Sequence, residues 1–123
     1  QSALKNIADD IDPDIIIVEP TGLALPHKVK ELVHFSCIDE DRDFIVGIAD
    51  IQRFQDLIKK KEDFFTRQMH GSDVILINKC DIAKDGEMDA AISWLQSRFP
   101  GKEIIPVSVK ENINLDKAFG MIE

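Results

Sequence analysis

Along the chain, short apolar runs alternate with segments whose apolar residues recur at helical spacing. Asp14 to Glu19 (DIIIVE), Phe44 to Ala49 (FIVGIA), Val74 to Ile77 (VILI) and Ile104 to Val109 (IIPVSV) are near-continuous Ile/Val runs, the pattern of strands covered on both faces. They predict four parallel strands. Between them lie helical stripes: Val29, Leu32 and Val33; Ile51, Phe54, Leu57 and Ile58, continuing to Phe64, Phe65 and Met69; Met88, Ala91, Ile92, Leu95 and Phe99; and Leu115, Ala118, Phe119 and Ile122. Alternating strands and helices with short connections build right-handed βαβ units, and such sheets bind ligands beyond the carboxyl ends of their strands. Pro26 suits a first helical turn, and Pro100-Gly101 stops the helix before the last strand.

Length and charge narrow the picture. With 123 residues, 44% of them hydrophobic, the chain suffices for one domain with a single core. Its 15 basic and 23 acidic side chains give a net charge of −8, which repels nucleic-acid phosphates and anionic membranes. Neither nucleic acid nor membrane is expected as a partner. Cys37 and Cys80 do not make a disulfide framework, no run approaches a membrane span, and QSALKNIADDID has no signal-peptide core. A cytoplasmic protein is expected. The acidic DEDRD stretch and Lys59 to Lys61 read as solvated surface.

The strand ends carry the chemistry: Glu19-Pro20-Thr21-Gly22, then Asp50, then Asn78-Lys79-Cys80-Asp81, then Ser108-Val109-Lys110. A fixed carboxylate at Asp81 can accept two hydrogen bonds from the N1–H and exocyclic amine of guanine, a donor pair that adenine does not present. The stem of Lys79 can lie over the base, Asn78 can tie this turn to its neighbour, and a backbone N–H near Val109 can meet the guanine carbonyl. Turn chemistry alone also explains such a tetrapeptide. Glu19 suits a Mg²⁺ or water-orienting position, directly or through water, and Gly22 lets a backbone N–H approach a terminal phosphate. His27, His34 and Cys37 match no established zinc spacing, Cys80 reads as a packed thiol, and Trp94 as partial core.

Taken in order, EPTGLALP, GIADIQRF, QMHGSDVILINKCD and PVSVKENINL resemble the CobW-type GTPases, relatives of the HypB, UreG and MeaB metallochaperone GTPases. The resemblance implies an α/β three-layer sandwich with a mostly parallel sheet, a partial P-loop NTPase fold. It implies guanine binding by Asn78, Lys79 and Asp81, support of the base by Ser108, Val109 and Lys110, and catalytic positions at Glu19 and Gly22, with Glu19 near Mg²⁺. GTP or GDP and Mg²⁺ are the implied cofactors. A metal- or cofactor-receiving protein is the implied partner, and cobalamin, zinc or nickel handling the implied task. Asp50 matches an acidic position after the following strand.

The chain departs from that family in having neither GxxGxGKT nor CxCC. Residues 1–123 are therefore expected to form a single partial GTPase domain, the carboxyl-terminal half, without its P-loop strand and inactive by itself. In the resembling fold that strand lies between the ExxG and NKxD strands, so either Asp14 to Glu19 is expected to pair directly with Val74 to Ile77, or another chain to insert there. Exposed strand edges would also admit a homo-oligomer. The rival reading is a non-catalytic α/β interaction module that has lost nucleotide binding.

Overall fold

The computed structural model describes residues 2–20, 25–35 and 43–122. It divides into two compact units, Gln1–Asp43 and Phe44–Glu123. In the first, helix α1 (Ser2–Asn6) runs into a π-helical turn (Ile7–Ile11), which Asp12 ends in the left-handed region at φ 51°. Helix α2 (Pro26–Phe35) begins at the proline, whose missing N–H has no partner to lose in a first turn.

The second unit holds a parallel sheet in the order β1 (Val46–Asp50), β2 (Val74–Asn78), β3 (Glu103–Pro106). Helices α3 (Phe54–Lys60), α4 (Glu62–His70), α5 (Glu87–Arg98) and α6 (Leu115–Ile122) alternate with the strands. Ala49, Ile75 and Ile77 face one core with Phe54 of α3, Phe65 and Met69 of α4, and Ala91 and Leu95 of α5. Val74, Ile105 and Val107 face a second core with Ala118 of α6. The sheet is thus the middle of three layers, and β2 is apolar along its length because both its faces are covered.

Two expectations are corrected. Asp14 to Glu19 forms no strand: residues 15–20 have no regular structure, with Ile15 78% and Ile17 90% exposed. Its expected partner is taken: β2 has both edges filled, by β1 at Val46↔Val74 to Asp50↔Asn78 and by β3 at Val74↔Glu103 to Ile77↔Pro106. There is no gap beside β2 for Asp14 to Glu19 or for another chain, and the edges that lack a partner among the described residues are those of β1 and β3.

The stripe from Ile51 to Met69 is also two helices rather than one, broken at Lys61 (φ −139°, ψ 40°). The aromatic core explains the break. The rings of Phe54 and Phe65 meet edge-to-face with centroids 5.6 Å apart, and Trp94 lies 5.7 Å from Phe54. A continuous helix rising ~1.5 Å per residue would hold the two phenylalanines roughly 16 Å apart. The helix ends are tied down by charge: Arg98 pairs with Glu62 across α5 and α4, and Lys102 Nζ donates to the carbonyls of His70 (2.8 Å) and Ser72 at the end of α4. Among the described residues, no helix is long and apolar enough to cross a membrane.

Gly47, the second residue of β1, lets the end of α4 approach the sheet. A Cβ there would stand 2.4 Å from Ser72 Oγ and 3.1 Å from Met69 Sδ. Gly47→Ala is expected to destabilise the protein by about 1–3 kcal/mol through overpacking, with partial recovery in Gly47→Ala/Ser72→Ala. Urea denaturation checks this, and an unchanged midpoint in the single variant would refute the close approach.

Candidate functional site

The register brings three carboxyl ends together. Asp50 lies opposite Asn78, and Ile77 opposite Pro106, so the segments following β1, β2 and β3 leave the sheet on one edge. Backbone hydrogen bonds extend the lattice past the strands: Val107 N–H to Ile77 O (2.8 Å), Cys80 N–H to Val107 O (3.0 Å) and Ile51 N–H to Asn78 O (3.2 Å). The last strand is therefore shorter than the apolar pattern to Val109, yet its continuation stays bonded to β2.

The turn after β2 reverses at Lys79, left-handed at φ 68°, and continues as a 3₁₀ turn over Cys80–Ile82. Asn78 Oδ1 accepts the Val109 N–H at 3.2 Å and fastens this turn to the one after β3. That second turn closes on itself. Ser108 and Ile113 exchange both backbone hydrogen bonds, Ser108 Oγ accepts the Glu111 N–H at 3.1 Å, and Ser108 is fully buried. Asn112 (φ 54°) and Asn114 (φ 60°) supply the left-handed positions, which asparagine tolerates better than most residues. Asn114 Nδ2 donates to Pro106 O at 2.8 Å, anchoring the turn to β3.

Lys79 Nζ lies 2.9 Å from Asp50 Oδ2 and 3.4 Å from Gln52 Oε1, while Asp50 Oδ1 accepts the Gln52 N–H at 2.9 Å. Burial by itself would raise the Asp50 carboxyl. The Lys79 and Gln52 hydrogen bonds and the charges of Lys79 and Arg53 outweigh it and hold the group below the usual carboxylate range. For Cys80 the balance is reversed: burial first, then the Asp81 charge, push the thiol up, so it stays protonated.

Gln52, Asn78, Lys79, Asp81, Ile82, Ser108, Val109 and Lys110 line a cavity of about 450 Å³, within the usual size of small-ligand pockets. Among the described residues, the Asp81 carboxylate has no hydrogen-bond or ion-pair partner and the Lys110 N–H none either. The Val109 N–H, by contrast, is taken by Asn78. A wall with open acceptors at Asp81 and an open donor at Lys110 suits a flat heterocycle bearing adjacent donors and a carbonyl.

Six of the eight residues expected at the site thus line one cavity. Glu19 is exposed and outside any helix or strand, and Gly22 lies outside the described residues, as do Thr21 and Cys37. Among the described residues there is no group of three or more His, Cys, Asp or Glu side chains that could hold a metal ion by themselves, and a Mg²⁺ that enters with a nucleotide needs only one or two protein ligands, its phosphates supplying the rest. Gln52 and Ile82 were not anticipated. Gln52 could have been suspected from its place two residues after the strand-ending Asp50; Ile82 carries no signal of its own.

The model for the CobW/HypB/UreG nucleotide-binding domain matches residues 1–106. The chain belongs to this family. Within CobW/HypB/UreG, the match takes in Glu19, Gly22 and the Asn78 to Asp81 turn and stops before Ser108. Among curated proteins, GTPase Era of Pseudomonas fluorescens is 29% identical over 87 residues, covering 68% of this chain and 28% of that protein. GTPase Era of Pseudomonas entomophila is 28% identical over 124 residues, covering 92% of this chain and 39% of that protein. The chain therefore spans well under half the length of these relatives. No solved structure matches it significantly.

The Asp50–Lys79 pair gives this CobW/HypB/UreG domain a pH signature. Because the folded pKa of Asp50 is lowered, its contribution to stability is full above the unfolded value of about 3.9 and is lost as pH falls through the lower folded value. Urea unfolding followed from about pH 6 to pH 3 should show a steeper acid loss in the wild type than in Asp50→Asn. Superimposable pH profiles would refute the stabilised carboxylate.

Proposed function

We propose that the cavity at the carboxyl edge of the sheet binds the base of a guanine nucleotide, with Asp81 as the reader. One observation carries this reading: Asn78 links to the Val109 N–H, and the Asp81 carboxylate and the Lys110 N–H, both without a partner among the described residues, line one cavity. Guanine presents N1–H and an exocyclic amine to a carboxylate and a carbonyl oxygen to a backbone donor. Adenine offers an acceptor where Asp81 needs a donor, so it leaves a carboxylate desolvated and unpaired. The stem of Lys79 lies over the base, Asn78 holds the two turns in register, and buried Ser108 stiffens the wall that carries Val109 and Lys110. Membership of the CobW/HypB/UreG family and likeness to proteins named GTPase Era support the choice of nucleotide.

The wider role follows the family. The whole protein would hydrolyse GTP and couple it to inserting or delivering a metal or metal cofactor to a receiving protein in the cytoplasm. Glu19 and Gly22 are the matching positions for the phosphate end, where Mg²⁺ would enter with the nucleotide's own phosphates. Base recognition by Asp81 needs no part of that chemistry. On this reading residues 1–123 belong to one partial GTPase domain that supplies the base pocket.

Calorimetric titration with GDP and, separately, ADP tests the proposal. GDP should bind and ADP should not, and Asp81→Ala should lose about 1–3 kcal/mol of GDP affinity. Equal binding of the two nucleotides, or of neither, would favour the rival interaction module.

A further inference from the structure

Among the described residues, the Lys79 side chain is held from outside its own turn by a charge. Its ammonium sits 2.9 Å from Asp50, the last residue of β1, and 3.4 Å from Gln52 just beyond it, and the β1–β2 register fixes that meeting by setting Asp50 opposite Asn78. Asp50 is itself oriented, since its second oxygen accepts the Gln52 N–H. A lysine stem has several rotatable bonds, and ordering it costs up to about 2 kcal/mol. A stem already tethered at its far end loses less freedom when a ligand packs on it.

We propose that Asp50 and Gln52 form a clamp that presets the Lys79 stem as a wall of the base pocket, which makes Asp50 a positioning residue for guanine-nucleotide binding. The proposal rests on the guanine reading above. It extends the site to the end of β1 and the turn that follows it, and it separates two roles: Asp81 chooses the base, whereas Asp50 acts through Lys79 on affinity. Asp50 touches no ligand in this scheme. The clamp therefore sets how tightly GDP binds and leaves the rejection of ADP intact.

A double-variant cycle distinguishes this from an ordinary surface ion pair. GDP and ADP are titrated into the wild-type chain, Asp50→Asn, Lys79→Met and the double variant. Asparagine keeps an acceptor for the Gln52 N–H, and methionine keeps an apolar stem without the ammonium. Asp50→Asn is expected to weaken GDP binding about two- to fivefold, the scale of a partly exposed ion pair, without admitting ADP. In the Lys79→Met background the same change should have no further effect. Gln52→Met, which removes the second acceptor, gives the same comparison should Asp50→Asn fold poorly. A purely structural Asp50 would weaken binding equally in both backgrounds, and that additivity overturns the clamp, as does unchanged affinity in Asp50→Asn. A wild-type chain that binds no GDP overturns the guanine reading and the clamp with it; GDP binding that ignores Asp50 and Gln52 overturns the clamp alone.

Discussion

The packing of β2 is the constraint on which the site depends. Val74, Ile75 and Ile77 are buried, on alternating faces of the strand, and both its edges are hydrogen-bonded to parallel neighbours. A one-residue slip would turn every side chain to the opposite face, so the two cores together forbid it. With the register locked, Asp50, Asn78 and the segment leaving Pro106 must emerge side by side. The position of the polar residues is thus a consequence of apolar burial.

Most of those polar residues hold the turns together. Asn78 joins the two turns, Lys79 reaches back to β1, Ser108 braces its own loop and Asn114 fastens that loop to β3. Each pairing removes a degree of freedom from the cavity wall, and low mobility before binding is what lets a small pocket discriminate. Against this background the unpaired Asp81 carboxylate stands out. Among the described residues it has no counterion, and its charge falls on Cys80.

Helical periodicity was legible in the apolar stripes: α2, α5 and α6 lie where Val29 to Val33, Met88 to Phe99 and Leu115 to Ile122 place them, with Phe99 just past the end of α5. The break at Lys61 was not, because a stripe at helical spacing looks the same whether the helix runs straight or doubles back; contact between Phe54 and Phe65 decided it. Helix α1 went unread in a polar segment with little stripe. Asp14 to Glu19 shows the opposite failure. Its Ile/Val content is a strand pattern, yet strand propensity reports suitability for a pleated, half-buried surface and says nothing of whether an edge is free.

By itself, then, the sequence determined the alternation of strands and helices and the residue types gathered at the strand ends, since these depend on neighbours a few positions away. Only the tertiary structure decided which strand lies beside which, that Asn78 reaches Val109, and that Lys79 answers to Asp50 and Gln52. Those side-chain contacts join residues 27 to 31 positions apart, and their existence depends on a sheet register that no local pattern contains.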